Sequence, residues 1–298
     1  MEWEITEKSA GQSVRNFLKE EKSFSRRILK SVIYDGGAVE LNGRSVRLNE
    51  RLKTGDKLVV RFPKEEKSSH MKPENISLDI IYEDEFLLVV NKPAEMATIP
   101  SYHHPSGTLA NGILAYYEQK CIPYTVHIVT RLDRGTSGLV LIAKHRYSHS
   151  LLSSLQKKGE IKRRYQAIAT GILSAEKGII TKRIGRKDGS IIERTVREDG
   201  QKAITHYNTI KKTTNHTFVD IELETGRTHQ IRVHFASFGH PLAGDDLYGG
   251  SKMLIKRQAL HCNYISFIHP FTQKSMSFSS SIPKDMEKLL DKDEAKMS

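Results

Sequence analysis

The stretch HIVTRLDRGTSGLVLIAK, residues 127–144, decides how the fold is read. Its second half, Leu139–Ala143, is apolar at every position. That pattern predicts a central strand buried on both faces, since a surface strand would alternate. Its first half puts Arg131, Asp133 and Arg134 in a glycine-bearing turn just before that strand. Taken alone, an aspartate in such a turn calls for no function.

Working outward, Leu87–Val90, Tyr165–Thr170 and Phe218–Leu223 read as further strands. Residues 146–158 read as a helix with Leu151, Leu152 and Leu155 on one face, stopped by Gly159. Thr228 is expected to cap another helix, carrying Ile231, Phe235 and Phe238 at i, i+4 and i+7 and ended by Gly239 and Pro241. Residues 176–205 read as a charged, hairpin-rich excursion, and the tail from Met286 as a short helix or a frayed end. No internal repeat is visible.

The clearest boundary is PKEEKSSHMKPEN, residues 63–75, polar and without hydrophobic period, which reads as a linker between a unit of residues 1–62 and one of residues 76–298. In the first unit Ser13 can cap a short helix with Val14, Phe17 and Leu18 on one face. Ser25 can cap a second, with Ile28, Leu29, Val32 and Ile33 inward and Arg26, Arg27 and Lys30 outward. Gly36 and Gly37 end it, and the short strands AVELNG and KLVVRF follow. Three outward cations are usually a solvated face. In a unit this small they favour binding.

The chain has 298 residues, with 47 Lys and Arg against 35 Asp and Glu, a formal charge of +12. The surplus is spread along the chain and favours a polyanionic partner. Two distant cysteines, Cys121 and Cys262, form no C-x-x-C and indicate a reducing compartment. The start lacks a signal-peptide build and no apolar run approaches the ~18 residues of a membrane span, so the expected location is cytoplasmic. Gly239–Gly244 has phosphate-loop spacing, but Asp245 stands where lysine belongs. His229 and His234, five apart, diverge on a helix, which argues against a metal site. Ser137 lacks a full nucleophile elbow.

Two other segments change the weight of Asp133. ETGRTHQIRVHFASFGHPLAGDDLYG, residues 224–249, gathers Arg227, His229 and Arg232 at an expected helix start, where free N–H groups and the positive dipole suit phosphate or carboxylate. KRRYQAIATG, residues 162–171, opens a small-residue strand with Tyr165, a ring that could meet a nucleobase. With R-L-D-x-x-T-S-G, these segments in this order resemble the RluA/RluD-type pseudouridine synthases. The likeness runs from about Ile80 to Pro283 and takes in YEDEFLLVVNKPAEM and GTLAN. The first unit looks like the small RNA-binding module named after ribosomal protein S-four.

The resemblance implies an α+β protein: a catalytic domain on a mixed, largely antiparallel sheet flanked by helices and loops, plus a small helical RNA-binding module. It implies isomerisation of uridine in structured RNA, ribosomal RNA first and transfer RNA as the alternative, by a monomer needing no nucleotide, metal or other cofactor. Asp133 matches the catalytic carboxylate and Arg232 the arginine that pairs with it. Tyr165 matches the tyrosine that stacks on the flipped uracil, and Arg131 the side chain that fills the vacated stack. Arg227 and His229, with Arg26, Arg27 and Lys30, are the other expected RNA contacts. Where the family usually has His before R-L-D this chain has Thr130, a change expected to bear on local RNA contacts. The rival is a non-catalytic RNA-binding or ribosome-assembly factor, which would have no use for Asp133, Tyr165 and Arg232 together.

Overall fold

The protein is described here from a computed structural model that places residues 1–65 and 71–295. It opens with strand β1 (Glu2–Glu4) and a single turn, α1 (Val14–Asn16). The Ser13 hydroxyl accepts from the Asn16 N–H at 3.2 Å, and Ser25 likewise starts α2 (Arg26–Tyr34) by accepting from the Ile28 N–H at 3.2 Å. Each cap satisfies a donor that a helix start would leave orphaned. Strands β2 (Ala38–Leu41), β3 (Arg44–Ser45) and β4 (Lys57–Arg61) follow, and the sheet order is β1-β4-β2-β3. Helical turns continue from α1 through Phe17–Glu21, so both expected helices are present, and β1 and β3 are added to the two expected strands. Glu-Trp-Glu is too short a run to show a period, yet it pairs along β4. Ile28, Leu29 and Val32 are buried, whereas Ile33 is 43% exposed, being off the edge of the apolar stripe.

The larger unit contains β5 (Asp79–Glu83), β6 (Leu87–Lys92), α3 (Leu109–Gln119), β7 (His127–Ile128), β8 (Ser137–Ala143) and α4 (Arg146–Lys157). Next come β9 (Lys162–Thr170), β10 (Lys177–Thr181), the hairpin β11 (Ile184–Arg186) and β12 (Arg194–Val196), then β13 (Ile204–Lys212) and β14 (His216–Leu223). The chain ends with α5 (Gln230–Ala236), β15 (Leu260–Ile268), β16 (Ser275–Ser279) and α6 (Lys284–Glu294). One sheet runs β10-β13-β14-β9-β15-β8-β6-β5, with β16 on β15 and β7 on β8. Only β8 and β15 pair in parallel among the described strands, so the sheet is mixed and largely antiparallel as expected. All seven residues of β8 are buried.

Helix α4 serves two cores. Leu152 and Leu155 pack into the large sheet, while Tyr147 and Leu151 join the core of the first unit with Phe24 and Phe62. The expected single leucine face is therefore split, because the helix lies between two apolar surfaces. The linker is likewise docked at both its described ends. Glu65 accepts from the Arg146 N–H at 2.8 Å and meets His127 at 2.5 Å, and Glu74 accepts from the Gly107 N–H. The linker's middle, 66–70, lies outside the described residues. The tail forms α6, not a frayed end. Met286, Leu289 and Leu290 are buried, and buried Asp293 receives the Thr213 hydroxyl and the Asn215 N–H. No helix among the described residues is long and apolar enough to cross a membrane.

Candidate active site

The turn that carries Asp133 is stapled from beneath by buried side chains. Thr98 clamps Leu132 twice: its hydroxyl donates to the Leu132 carbonyl at 2.7 Å and accepts from the Leu132 N–H at 3.2 Å. Lys92, wholly buried at the end of β6, donates to the carbonyls of Pro93, Met96 and Arg134 at 2.8, 2.7 and 3.2 Å. Burial pushes its ammonium down to about 7, so three carbonyls of partial negative charge are what it has in place of water. Arg257, held by both Asp285 oxygens, donates to the Gly135 carbonyl at 3.1 Å. A side chain at Gly135 would strike Gln258, and one at Gly138, with φ +113°, would strike the Cys262 backbone of β15. Those contacts explain why the turn is written with glycines.

With its backbone fixed, the turn projects Arg131 and Asp133 into a cavity of about 720 Å³ also lined by Tyr165, Leu223, Arg227, His229, Arg232 and Leu260. That is an ordinary volume for a small-molecule or single-nucleotide site. The Arg232 Nη1 donates to Asp133 Oδ2 at 3.3 Å, and His229 Nε2 lies 3.8 Å from the same oxygen. Arg232 therefore meets Asp133, but its stronger partner is Asp245, which takes Nε and Nη2 at 2.7 Å each. Burial opposes the Arg232 charge. The Asp245 carboxylate outweighs that, so the guanidinium holds its proton more firmly than an ordinary arginine. The Tyr248 ring stacks 5.0 Å from the guanidinium, and its hydroxyl bonds His229 Nδ1 at 2.8 Å.

Two expectations change here. The helix begins at Gln230 with His229 at the N-cap position, in the left-handed region at φ 57° and without a side-chain cap bond, so Thr228 is not the cap. The reason is Gln230, whose side-chain carbonyl accepts from the Arg227 N–H and the Thr225 hydroxyl and so ties down the loop. What faces the carboxylate is accordingly the Arg232 and His229 side chains. His229, expected at RNA, lines the same cavity, half-buried against Asp133, and burial lowers the pKa of its imidazole. Thr130 is fully buried and its hydroxyl accepts from the Leu141 N–H at 2.9 Å, which removes it as an RNA contact.

Tyr165 forms part of the cavity floor at 4% exposure, with its hydroxyl accepting from Arg163 at 3.2 Å. Burial raises its phenol far above the usual tyrosine range, so it is neutral near pH 7. Arg131 and Arg227 are exposed at the cavity mouth. Arg26, Arg27 and Lys30 belong to α2 of the other unit and take no part in this cavity. Sequence reasoning missed Lys92, Thr98, Asp245, Tyr248 and Arg257. For Lys92 a signal existed, a lysine closing the apolar run LLVV. Asp245 was noticed only as the wrong residue for a phosphate loop.

A carboxylate beside a buried cation and a neutral tyrosine thus line one nucleotide-sized cavity, a set suited to chemistry on a base or sugar. Residues 86–237 match the family described as RNA pseudouridylate synthase. The chain is 50% identical over 270 residues to the "Uncharacterized RNA pseudouridine synthase YjbO" of Bacillus subtilis, covering 91% of this chain and 95% of that one. It is 40% identical over 282 residues to the "Ribosomal large subunit pseudouridine synthase D" of Buchnera aphidicola, covering 90% and 89%. In fold it is similar to the human RNA pseudouridylate synthase domain containing 1, at TM-score 0.59 and 22% identity over 71% of this chain and 86% of that one. The chain belongs to the RNA pseudouridine synthase family and is an RNA-modifying isomerase.

Proposed function

We propose that the substrate is ribosomal RNA and that Asp133 is the catalytic carboxylate. The observation that carries the second point is the Asp133–Arg232 contact at 3.3 Å inside the cavity floored by Tyr165. In the reaction the bond from ribose C1′ to uracil N1 breaks, the base turns, and C1′ bonds to C5, which gives up its proton as N1 gains one. Atoms and electrons balance within the nucleotide, so no redox partner or group donor enters. The carboxylate acts as the nucleophile, or as the base that forms a glycal. In either role it needs a fixed aim, which Arg232 gives. Tyr165 offers its ring to the flipped uracil and its neutral hydroxyl to proton transfer. Arg131 fills the stack that the uridine leaves. Support for ribosomal RNA comes from relatives whose names specify the large ribosomal subunit.

Residues 1–62 act in this reading as an S-four-like RNA-binding module, joined by the linker 63–75 to the catalytic domain 76–298, in a cytoplasmic monomer. The exposed α2 cations and the +12 charge support that assignment. Purified protein should form pseudouridine in ribosomal RNA with chelator present and no nucleotide added, and Asp133→Asn should form none at long times while still binding RNA. A strict need for added metal, or turnover by the Asn variant, overturns the assignment.

A further inference from the structure

Between α2 and the catalytic cavity runs a chain of concavities whose linings overlap. The first, about 780 Å³, is bounded by Arg27 of α2, by Arg146, and by Ser150, Ser153, Ser154 and Lys157 of α4. The second is a trough of about 1500 Å³ that begins at Lys157 and continues through Lys158, Lys162 and Arg163. The third is the Asp133 cavity, which shares Gln156, Arg163 and Arg227 with the trough.

Helix α4 makes the link. Ser150, Ser153, Ser154 and Lys157 stand at i, i+3, i+4 and i+7, so they share one face. Hydroxyls there are small enough to let a sugar–phosphate backbone come close and polar enough to bond it. At ~1.5 Å per residue the face from Ser150 to Lys157 runs ~10 Å, room for a short run of backbone phosphates. The two ends of α4 are cationic, and the first unit is fixed against it. The Tyr147 hydroxyl donates to the Lys22 carbonyl at 2.6 Å, and Arg146 donates to the Ser31 hydroxyl at 3.1 Å. Among the described residues Arg27, Lys157, Lys158 and Lys162 carry no ion pair, so their charge is free for a ligand. Of the trough's acids, Asp220 and Glu222 lie on β14 and Glu224 just after it, which leaves the rim made by the end of α4 and the start of β9 as the cationic side.

We infer that the serine face of α4 is a bridge for the RNA backbone: an RNA with its uridine over Asp133 continues along the trough rim and α4 to Arg27 as one uninterrupted contact. This rests on RNA being the substrate and specifies the kind of RNA, one with a structured arm beside the target. The alternative is two separate contacts with solvent between them, and the two differ in what a charge placed mid-bridge does.

The probes are a stem-loop RNA with uridines in its loop and the isolated loop oligonucleotide, each bound to the full chain over a range of salt. Ser154 and Lys157 are exposed, so Ser154→Glu with Lys157→Glu should fold, and Ser154→Gln with Lys157→Gln removes charge without reversing it. The Glu pair should weaken stem-loop binding and flatten its salt slope by ~0.9 log units per lost phosphate contact, leaving the isolated loop unaffected. The Gln pair should fall between. Radical footprinting of the wild-type complex should protect a short run of backbone beside the loop as well as the loop itself. Unchanged stem-loop affinity in the Glu pair, or equal weakening on both RNAs, overturns the bridge. Absence of pseudouridine in ribosomal RNA treated with wild-type protein would strike the proposed substrate alone, since the bridge is read by binding.

Discussion

The α5 wall of the Asp133 cavity and the outer face of α2 both present cations, and they are built in opposite ways. Arg232 is 7% exposed and has every side engaged: Asp245 on two nitrogens, Asp133 on the third, and the Tyr248 ring against its plane. Arg26, Arg27 and Lys30 are exposed and carry no ion pair among the described residues. A buried, fully engaged charge fixes a neighbour's position and cannot be removed without stranding its partners. An exposed, unpaired charge fixes nothing, but it attracts phosphate over a Debye length and can be removed without harm to the fold.

The sharpest break of this contrast is Arg232→Met. It removes the 3.3 Å contact to Asp133 and leaves the Asp245 carboxylate buried and alone. Turnover should fall by ~10²-fold or more, as when a positioned active-site donor is lost. Stability should also fall, by ~3–5 kcal/mol, because one half of a buried ion pair remains. Adding Asp245→Leu should restore most of the stability and none of the turnover, measured by denaturant unfolding beside single-turnover conversion. Equal recovery of both in the double variant would mean that Arg232 serves only the fold.

An intermediate case lies within the cavity itself. Arg131 and Asp133 are two residues apart, yet Arg131 resembles the α2 cations in being exposed at the mouth. Arg131→Ala should therefore leave folding intact and slow conversion by an amount worth a few kcal/mol at most, the scale of extruding a stacked base. The deficit should shrink on an RNA whose target uridine is bulged and grow on one where it is stacked. Asp133→Asn should gain nothing from the bulge. Equal rescue of the two variants would erase the distinction between them.

The contrast also marks what could be read from the residues in order. Strand β8, the Asp133 turn and the Ser25 cap were legible because each is local: an apolar run, a glycine-bearing turn, a hydroxyl three residues ahead of the N–H it accepts from. The assignment of Asp133, Arg232 and Tyr165 to one site came from family likeness, and the structure then brought all three into one cavity. What stayed hidden was the support beneath. Lys92, Thr98 and Arg257 reach the turn across separations of 42, 34 and 122 residues, which no periodicity encodes. The division of α4 between two cores was hidden too, since a leucine pattern shows that a face is apolar and not which surface it meets. Thr130 misled for a related reason: its position in the motif suggested contact with RNA, whereas its hydroxyl is spent on a β8 amide.

The smallest expected effect belongs to α2 and separates its cations from one another. Removing Arg26, Arg27 and Lys30 together should change stability by no more than ~0.5 kcal/mol, as for exposed residues without partners. It should flatten the salt dependence of RNA binding by up to ~0.9 log units per lost phosphate contact, with turnover at saturating RNA largely kept. The three are not equivalent in space. Arg27 lines the concavity beside Arg146 and the α4 serines, whereas Arg26 and Lys30, at i and i+4, share a different strip of the helix. If RNA approaches over α4, Arg27→Gln alone should account for most of the change in slope, and Arg26→Gln with Lys30→Gln for little. The reverse order would move the RNA to the other strip of α2 and away from α4. No change in slope from all three would make them a solvated face, and binding would then rest on the trough and the cavity mouth.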